Sequence, residues 1–360
     1  MYFRLTAAVA LLACAACSGK PYSLDLMSAP EVYDEERANP FTDERLMQLA
    51  EGFGLLYATD RLPEDDPHAS PYYQGERGHV LRLGVADVQM GDGDMTWEEA
   101  RKISLLKNRT EKYPLKVSGV QEFGVLAASK DLAAEGQIDD WGEAQQFTEA
   151  IDRQLMKRDV KDVFIYIHGY KVVFENPVLV ASELWHYMGY EGVFIAYAWP
   201  STPSVWAYVA DLETASYSSR NLRRLIEFVA ADSRVERIHL VGYSAGTRLV
   251  TQALWQLALK YGSDSDVGRR LKLHDVVLLG SDIDGDLAVG YASDGMLDII
   301  NKMTIYQSSK DKALGMSRWL FGRSRVGQTN KTEERVVPAV ARLVTEGKLE
   351  IIDVSQAADA

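Results

Sequence analysis

The sequence has little cysteine, little histidine and no excess of basic residues. Only two cysteines occur among its 360 residues, and both lie near the amino terminus, at positions 14 and 17. The rest of the chain therefore forms no internal disulfide. The 39 basic residues are outnumbered by 52 acidic ones, which gives a net charge of −13. A chain of this charge repels phosphate backbones and offers no basic stripe, so we exclude nucleic acid as a partner.

The first twenty residues, MYFRLTAAVALLACAACSGK, have the pattern of an export signal. Arg4 precedes the apolar run 5–13, and small residues follow; the run is too short to span a membrane as a mature helix. A cysteine at the end of such a segment resembles the lipobox of bacterial lipoproteins. Signal length favours Cys17 as the lipid anchor, whereas the leucine spacing of LLAC favours Cys14. A plain secretory signal with incidental cysteines is the alternative.

This reading predicts three regions. Residues 1–17 would be a lipoprotein-type signal peptide, and the acidic, proline-punctuated residues 18–50 would be a tether. Residues 51–360 would form one folded domain. We expect an exported protein of the cell envelope that contacts the membrane through its lipid anchor, at the outer membrane if the cell has two membranes.

Beyond residue 50 the pattern changes from strand-like alternation to strands that alternate with helices. The segments at 53–61 and 79–90 predict an antiparallel start to a sheet, and 113–127 is also strand-like. Near-continuous apolar strands follow at 162–170, 192–200, 237–244, 274–282, 303–309 and 348–355, with amphipathic helices between them. This order predicts an α/β fold with a doubly wound, mainly parallel sheet. Its active groups would lie at the carboxyl ends of the strands.

The segment RIHLVGYSAGTRLV, residues 237–250, places a Gly-x-Ser-x-Gly pentad between a buried strand and a helix. The sharp turn between these elements lifts a serine hydroxyl above the sheet. Small residues at Gly242 and Gly246 let the strand and helix backbones approach closely. The pattern predicts Ser244 as a nucleophile.

Two main-chain amides are candidates for an oxyanion hole. Ala245 would lie at the amino terminus of the helix, where the N–H groups and the helix dipole favour negative charge. His168 and Gly169 end an earlier strand, from which hydrolases of this architecture supply a second donor, here the amide of Tyr170. We expect His168 itself to form structural hydrogen bonds.

The catalytic acid follows the nucleophile in the chain order of this architecture. Asp311 comes just after the penultimate strand, the usual position of the acid. Asp282 and Asp284 follow the strand before it and are the alternatives. No set of His, Cys and Asp at ligand spacing indicates a metal, and the chemistry requires no cofactor.

The ordered motifs FIYIHGYKVVFENP, AYAWPS, IHLVGYSAGTRLV, SDIDGD and YQSSKDKAL resemble those of a bacterial alpha/beta-hydrolase family of unknown function that is esterase/lipase-like. The resemblance covers roughly residues 53–355. It implies an alpha/beta-hydrolase fold, a serine hydrolase with Ser244 as nucleophile and Asp311 as acid, and export.

The general base is missing from its expected position after the last strand, because no histidine follows His274. Three explanations are open. The catalytic loop follows Ala360 in a longer chain, the protein has lost catalysis, or His68 or His79 folds over the site. We therefore expect a serine hydrolase that cleaves carboxylic esters or related small acyl compounds. The alternative is a non-catalytic envelope lipoprotein that binds a ligand or partner on a hydrolase scaffold.

Overall fold

The computed structural model describes most of the chain from residue 54 onward and short parts before it. The described residues are 22–29, 39–42, 54–66, 69–91, 97–106, 110–128, 142–202, 208–262, 266–308 and 337–355, with Tyr33, Arg45 and Met95. Both cysteines, and therefore the predicted anchor at Cys17 or Cys14, lie outside these residues.

Ten strands and eight helices form the described part of the domain. The strands are β1 (Ser23–Asp25), β2 (Leu55–Pro63), β3 (Tyr73–Met90), β4 (Pro114–Ala128), β5 (Asp162–Ile167), β6 (Val193–Tyr197), β7 (Arg237–Tyr243), β8 (Leu273–Leu279), β9 (Lys302–Gln307) and β10 (Leu349–Asp353). The helices are α1 (Trp97–Ser104), α2 (Gln145–Met156), α3 (Glu175–Tyr187), α4 (Tyr208–Asp232), α5 (Gly246–Tyr261), α6 (Val267–Leu271), α7 (Gly285–Ser293) and α8 (Val337–Thr345).

All ten strands belong to one sheet, in the order β1-β4-β3-β2-β6-β5-β7-β8-β9-β10. The pairings from β2 to β10 are parallel, and those among β1, β4, β3 and β2 are antiparallel. The predicted antiparallel start and mainly parallel body are both confirmed. Every strand predicted from the sequence is present, with ends that differ by a few residues.

Apolar side chains on both faces of the sheet explain why helices cover both. In β5, Val163, Ile165 and Ile167 point into one core cluster together with residues of α2, α4 and α5. Tyr166, on the other face, packs in a second cluster with residues of α3. A strand buried on both faces is a near-continuous apolar run, which is the pattern the sequence displays.

Part of the segment 18–50 packs on the domain, although the sequence predicted a tether there. β1 pairs with β4 at the edge of the sheet, and Leu26 and Phe41 are buried. The Phe41 ring lies 4.8 Å from the ring of His186 on α3. The Tyr33 hydroxyl donates to the main-chain oxygen of Tyr187 at the end of α3.

The strand order reverses at β5, which lies between β6 and β7. From β5 the chain first winds to one side of the sheet, to β6, and then to the other, to β7. In sheets of this kind the crevice at such a switch point, at the carboxyl ends of the strands, is the usual ligand site. Ser244 follows β7 and His168 follows β5, so both lie at this crevice. Among the described helices, none combines the length and the apolar character needed to cross a membrane.

Candidate active site

Ser244 occupies a strained turn between β7 and α5. Its φ is 50°, in the left-handed region that residues with a side chain rarely adopt. The strain is balanced by hydrogen bonds on both sides of the turn. The Ser244 N–H donates to the oxygen of Leu279 at the end of β8 over 2.9 Å, and its carbonyl accepts from the amide of Thr247 over 3.0 Å. The hydroxyl is thereby held at the carboxyl end of the sheet on a turn with the predicted geometry.

The two glycines of the pentad are required by close packing around this turn. A Cβ at Gly246 would lie 2.5 Å from the Ile167 oxygen at the end of β5, and closer still to the His168 oxygen. A Cβ at Gly242 would lie 3.0 Å from the Val250 side chain. Any larger residue at position 246 would separate α5 from β5. Because Gly242 and Gly246 have no side chain, the Ser244 turn can pack closely against β5, the strand that precedes the Tyr170 loop.

The loop after β5 passes directly beside the nucleophile. A Cβ at Gly169 would lie 3.1 Å from the Cβ of Ser244. Ala245 is buried at the start of α5, and its N–H makes no hydrogen bond within the part of the chain that the structure describes. Gly169, in the loop after β5, and Ala245, at the start of α5, thus both adjoin Ser244.

Arg61 anchors the loop that carries Tyr170, a function that the sequence did not reveal. This buried side chain from β2 donates from Nη2 to the Val172 oxygen over 2.9 Å. The Ser201 hydroxyl lies 3.1 Å from the same oxygen and 3.2 Å from the Val172 amide. Arg61 lies in the strand segment FGLLYATDR, which is largely apolar. A charged residue at the end of such a segment was the one feature of the sequence that could have pointed to this function.

His168 is a structural residue in this arrangement. Its Nδ1 lies 2.6 Å from the Gly169 oxygen and its Nε2 lies 3.1 Å from the Trp199 oxygen. Its ring stacks on that of Trp199. Burial, aided by the positive charge of Arg61, lowers the pKa of His168 well below its usual value. Both of its ring nitrogens lie against main-chain oxygens, so the ring is engaged by the loop and by the segment after β6 rather than directed at Ser244.

The three candidate acids have different environments. Asp311 lies outside the described residues. Asp284 caps α7, because its Oδ1 accepts from the amides of Asp286 and Leu287 over 3.1 and 3.3 Å. Asp282 is buried, and its Oδ2 accepts from Nε of Arg248 over 3.1 Å. Arg248 lies on α5, one helical turn after Ser244, so this ion pair joins the nucleophile helix to the loop after β8.

Five of the six histidines are described, and the four besides His168 lie away from Ser244. His79 lies on β3, four strands away from β7, or about 19 Å at the usual strand spacing. His186 is buried on α3, between the hydroxyls of Ser104 and Tyr190. His239 and His274 lie near the amino-terminal ends of β7 and β8, whereas Ser244 follows the carboxyl end of β7. His68 lies outside the described residues.

The comparison with protein families agrees with this geometry. A family model described as an alpha/beta hydrolase of unknown function (DUF900) matches residues 143–359, which contain β5 to β10 and the whole Ser244 turn. The chain belongs to this family. No curated protein matches the chain significantly.

Proposed function

Since the chain is an alpha/beta hydrolase, we propose that it is a serine hydrolase that cleaves carboxylic esters or related acyl compounds. The observation that carries the proposal is the Ser244 turn, with its positive φ of 50° between a buried strand and a helix. Holding a residue in such a backbone conformation costs on the order of 1–3 kcal/mol. Strain of this size is found mainly at functional sites, where the surrounding structure compensates for it.

In the proposed mechanism the Ser244 hydroxyl attacks the carbonyl carbon of the substrate. A general base accepts the hydroxyl proton, and the amides of Ala245 and Tyr170 stabilise the oxyanion of the tetrahedral intermediate. The base then returns the proton to the leaving group, and water hydrolyses the acyl-enzyme by the same steps. Asp311 is the proposed acid that orients the base.

The base belongs to none of the five described histidines on this proposal. His168 faces main-chain oxygens, His239 and His274 lie near the amino-terminal ends of β7 and β8, and His79 and His186 lie on β3 and α3. His68 lies outside the described residues, and we propose it as the candidate to test.

The absence of a suitable histidine among the described residues also favours a second candidate function. In it, the protein is a non-catalytic envelope lipoprotein that uses the same crevice to bind a ligand or a partner. The two functions differ in the reactivity of Ser244, because only a serine with a base is activated.

Hydrolysis of short p-nitrophenyl esters tests the catalytic proposal. Ser244→Ala is expected to lower turnover by about 10³-fold or more while leaving the fold intact, because the hydroxyl acts in the chemistry. Ser293→Ala, on an exposed position of α7, is the matched control and should retain full turnover. Equal turnover of Ser244→Ala and the parent protein would show that the activity does not use this serine.

A further inference from the structure

His239, His274 and Asp275 form a cluster at the amino-terminal ends of β7 and β8, away from Ser244. One ligand atom from each residue lies within 4.8 Å of the other two. Nδ1 of His239 is 3.8 Å from Oδ2 of Asp275, and Nδ1 of His274 is 3.0 Å from the same oxygen. Ligand atoms of a tetrahedral zinc ion, bound at about 2.0–2.1 Å, are about 3.3 Å apart. The observed separations bracket that value.

An irregularity in the parallel pairing of β7 and β8 creates this cluster. Ile238 pairs with Leu273 and Leu240 pairs with Val276, so two residues of β8 lie opposite one residue of β7. Those two residues are His274 and Asp275, and the single residue opposite them is His239. In a regular strand, consecutive side chains point to opposite faces; a bulge redirects one of them. The bulge therefore brings both side chains toward His239.

The surroundings of His239 resemble those of a metal-ligating histidine. Its Nε2 lies 3.2 Å from Oδ2 of Asp162, while its Nδ1 faces Asp275. The other oxygen of Asp162 accepts from Arg237 over 2.7 Å. A carboxylate on the far nitrogen fixes the tautomer and orientation of a metal-bound histidine and raises its basicity. The Asp162 carboxylate is in the position to do so, because a proton on Nε2 donated to it would leave Nδ1 as the nitrogen with a free lone pair.

Two further contacts prepare the other ligands. The Asn301 amide donates to Oδ1 of Asp275 over 2.9 Å, which leaves Oδ2 directed at the histidines. Nδ1 of His274 is buried and has no hydrogen-bond partner of good geometry, although Oδ2 of Asp275 lies 3.0 Å away. Such a nitrogen has a lone pair available for a ligand.

The charges around the cluster are compatible with a bound cation. Lys302 pairs with Asp275 across β8 and β9, but its ammonium group forms an ion pair with Glu350 at 2.6 Å. Arg237 is likewise engaged by Asp162. The side chains of His274 and Asp275 are 33% and 40% exposed, so an ion can enter from solvent and keep a water molecule.

We propose that His239, His274 and Asp275 bind one divalent transition-metal ion of the Zn²⁺ type, with water completing the coordination. Imidazole nitrogens with a single carboxylate suit Zn²⁺, Ni²⁺ and Cu²⁺ better than Mg²⁺ or Ca²⁺, which prefer oxygen ligands. The bound ion links β7 to β8 at their amino-terminal ends, opposite the Ser244 crevice at the carboxyl ends. Its function is to stabilise the sheet, independently of the proposed hydrolase chemistry.

Zinc binding to the full chain, purified without a histidine tag and with its cysteines alkylated, tests this site. After treatment with a chelator, titration with ZnCl₂ in a calorimeter should show one ion per chain with micromolar or tighter affinity. A hundredfold excess of zinc over the Kd should raise Tm by roughly 5 °C. MgCl₂ should produce neither effect.

Variants identify the ligands. His274→Gln and Asp275→Asn should each weaken zinc binding at least tenfold and remove the shift in Tm. His79→Gln, which removes an exposed histidine on another strand, should leave zinc affinity unchanged and controls for adventitious binding to histidine. Far-ultraviolet circular dichroism confirms that each variant is folded. Stoichiometric binding that survives both ligand substitutions, or no zinc binding by the parent chain, would overturn the proposal.

Discussion

Ser244 and its neighbours show how single residues generate the site. The strained φ of Ser244 is balanced by the hydrogen bonds of its own amide and carbonyl, so the side chain is positioned by the main chain. The two described carboxylates near Ser244, Asp282 and Asp284, differ in their hydrogen-bond partners. Asp284 caps α7, and Asp282 pairs with Arg248 on α5.

The acid assignment gives a prediction at this scale. Asp311→Asn should lower kcat for ester cleavage at least about 100-fold without changing the free energy of unfolding, because the acid orients the base. Asp282→Asn should retain kcat but lower the free energy of unfolding by about 2 kcal/mol, since it removes the buried negative charge that pairs with Arg248. Ester kinetics and urea unfolding of both variants check this. A loss of kcat confined to Asp282→Asn would move the acid to position 282.

A buried histidine gives a second prediction, about pH. Burial lowers the pKa of His186 from 6.5 to about 3. Between these values the unfolded chain carries a proton on this ring that the folded chain lacks. The free energy of unfolding therefore falls as the pH drops below about 6.5, by up to about 1.4 kcal/mol per pH unit for this group. Above pH 6.5 the contribution is fully present.

Urea unfolding between pH 7 and pH 5 measures this slope. His186→Gln keeps a polar side chain for Ser104 but cannot titrate, so its free energy of unfolding should depend less steeply on pH than that of the parent. The comparison isolates His186 from the buried carboxyl groups, whose raised pKa values act in the opposite direction. Identical slopes for the two proteins would contradict the assignment.

At the scale of elements, the strands and the nucleophile turn could be predicted from the sequence because they depend on local patterns. Apolar runs identify buried strands, and Gly242, Ser244 and Gly246 specify the turn. The edge strand β1 could not be predicted, because three residues in an acidic segment become a strand only by pairing with β4. The cluster around His239 was missed for a related reason. It depends on the register between β7 and β8, which no local pattern encodes.

Close packing between α5 and β5 gives a prediction at this scale. Gly246→Ala should lower the free energy of unfolding by about 1–3 kcal/mol, because its Cβ overlaps main-chain oxygens that cannot move independently. Gly290→Ala is the matched control, since a Cβ there meets nothing within 4 Å. It lies inside α7 and should raise the free energy of unfolding by about 0.5–1 kcal/mol. Urea unfolding measures both, and equal stabilities would contradict the packing argument.

The whole molecule combines a hydrolase domain with an amino-terminal segment whose pattern is typical of an export signal. We propose that the mature protein is anchored in the cell envelope through a lipid on Cys17 or Cys14. The part of 18–50 that packs beside α3 would then hold the domain within a short distance of its anchor.

Metabolic labelling with palmitate in a bacterial host checks the anchor. Label should enter the parent protein and should be absent when Cys14 and Cys17 are both replaced by Ser, because no other cysteine is present to carry the lipid. The single variants identify which cysteine is used. Label retained by the double variant, or a parent protein that stays unlabelled, would contradict lipid anchoring.

Reaction with a fluorophosphonate probe tests the central claim most directly, because the probe reacts quickly only with an activated serine. The account predicts one adduct per chain, located at Ser244 by mass spectrometry of the digested protein, and no adduct in Ser244→Ala. Heat-denatured protein, in which the turn is lost, should not react. An unlabelled parent protein, tested beside a serine hydrolase that labels under the same conditions, would contradict the catalytic function and favour the binding function of the crevice.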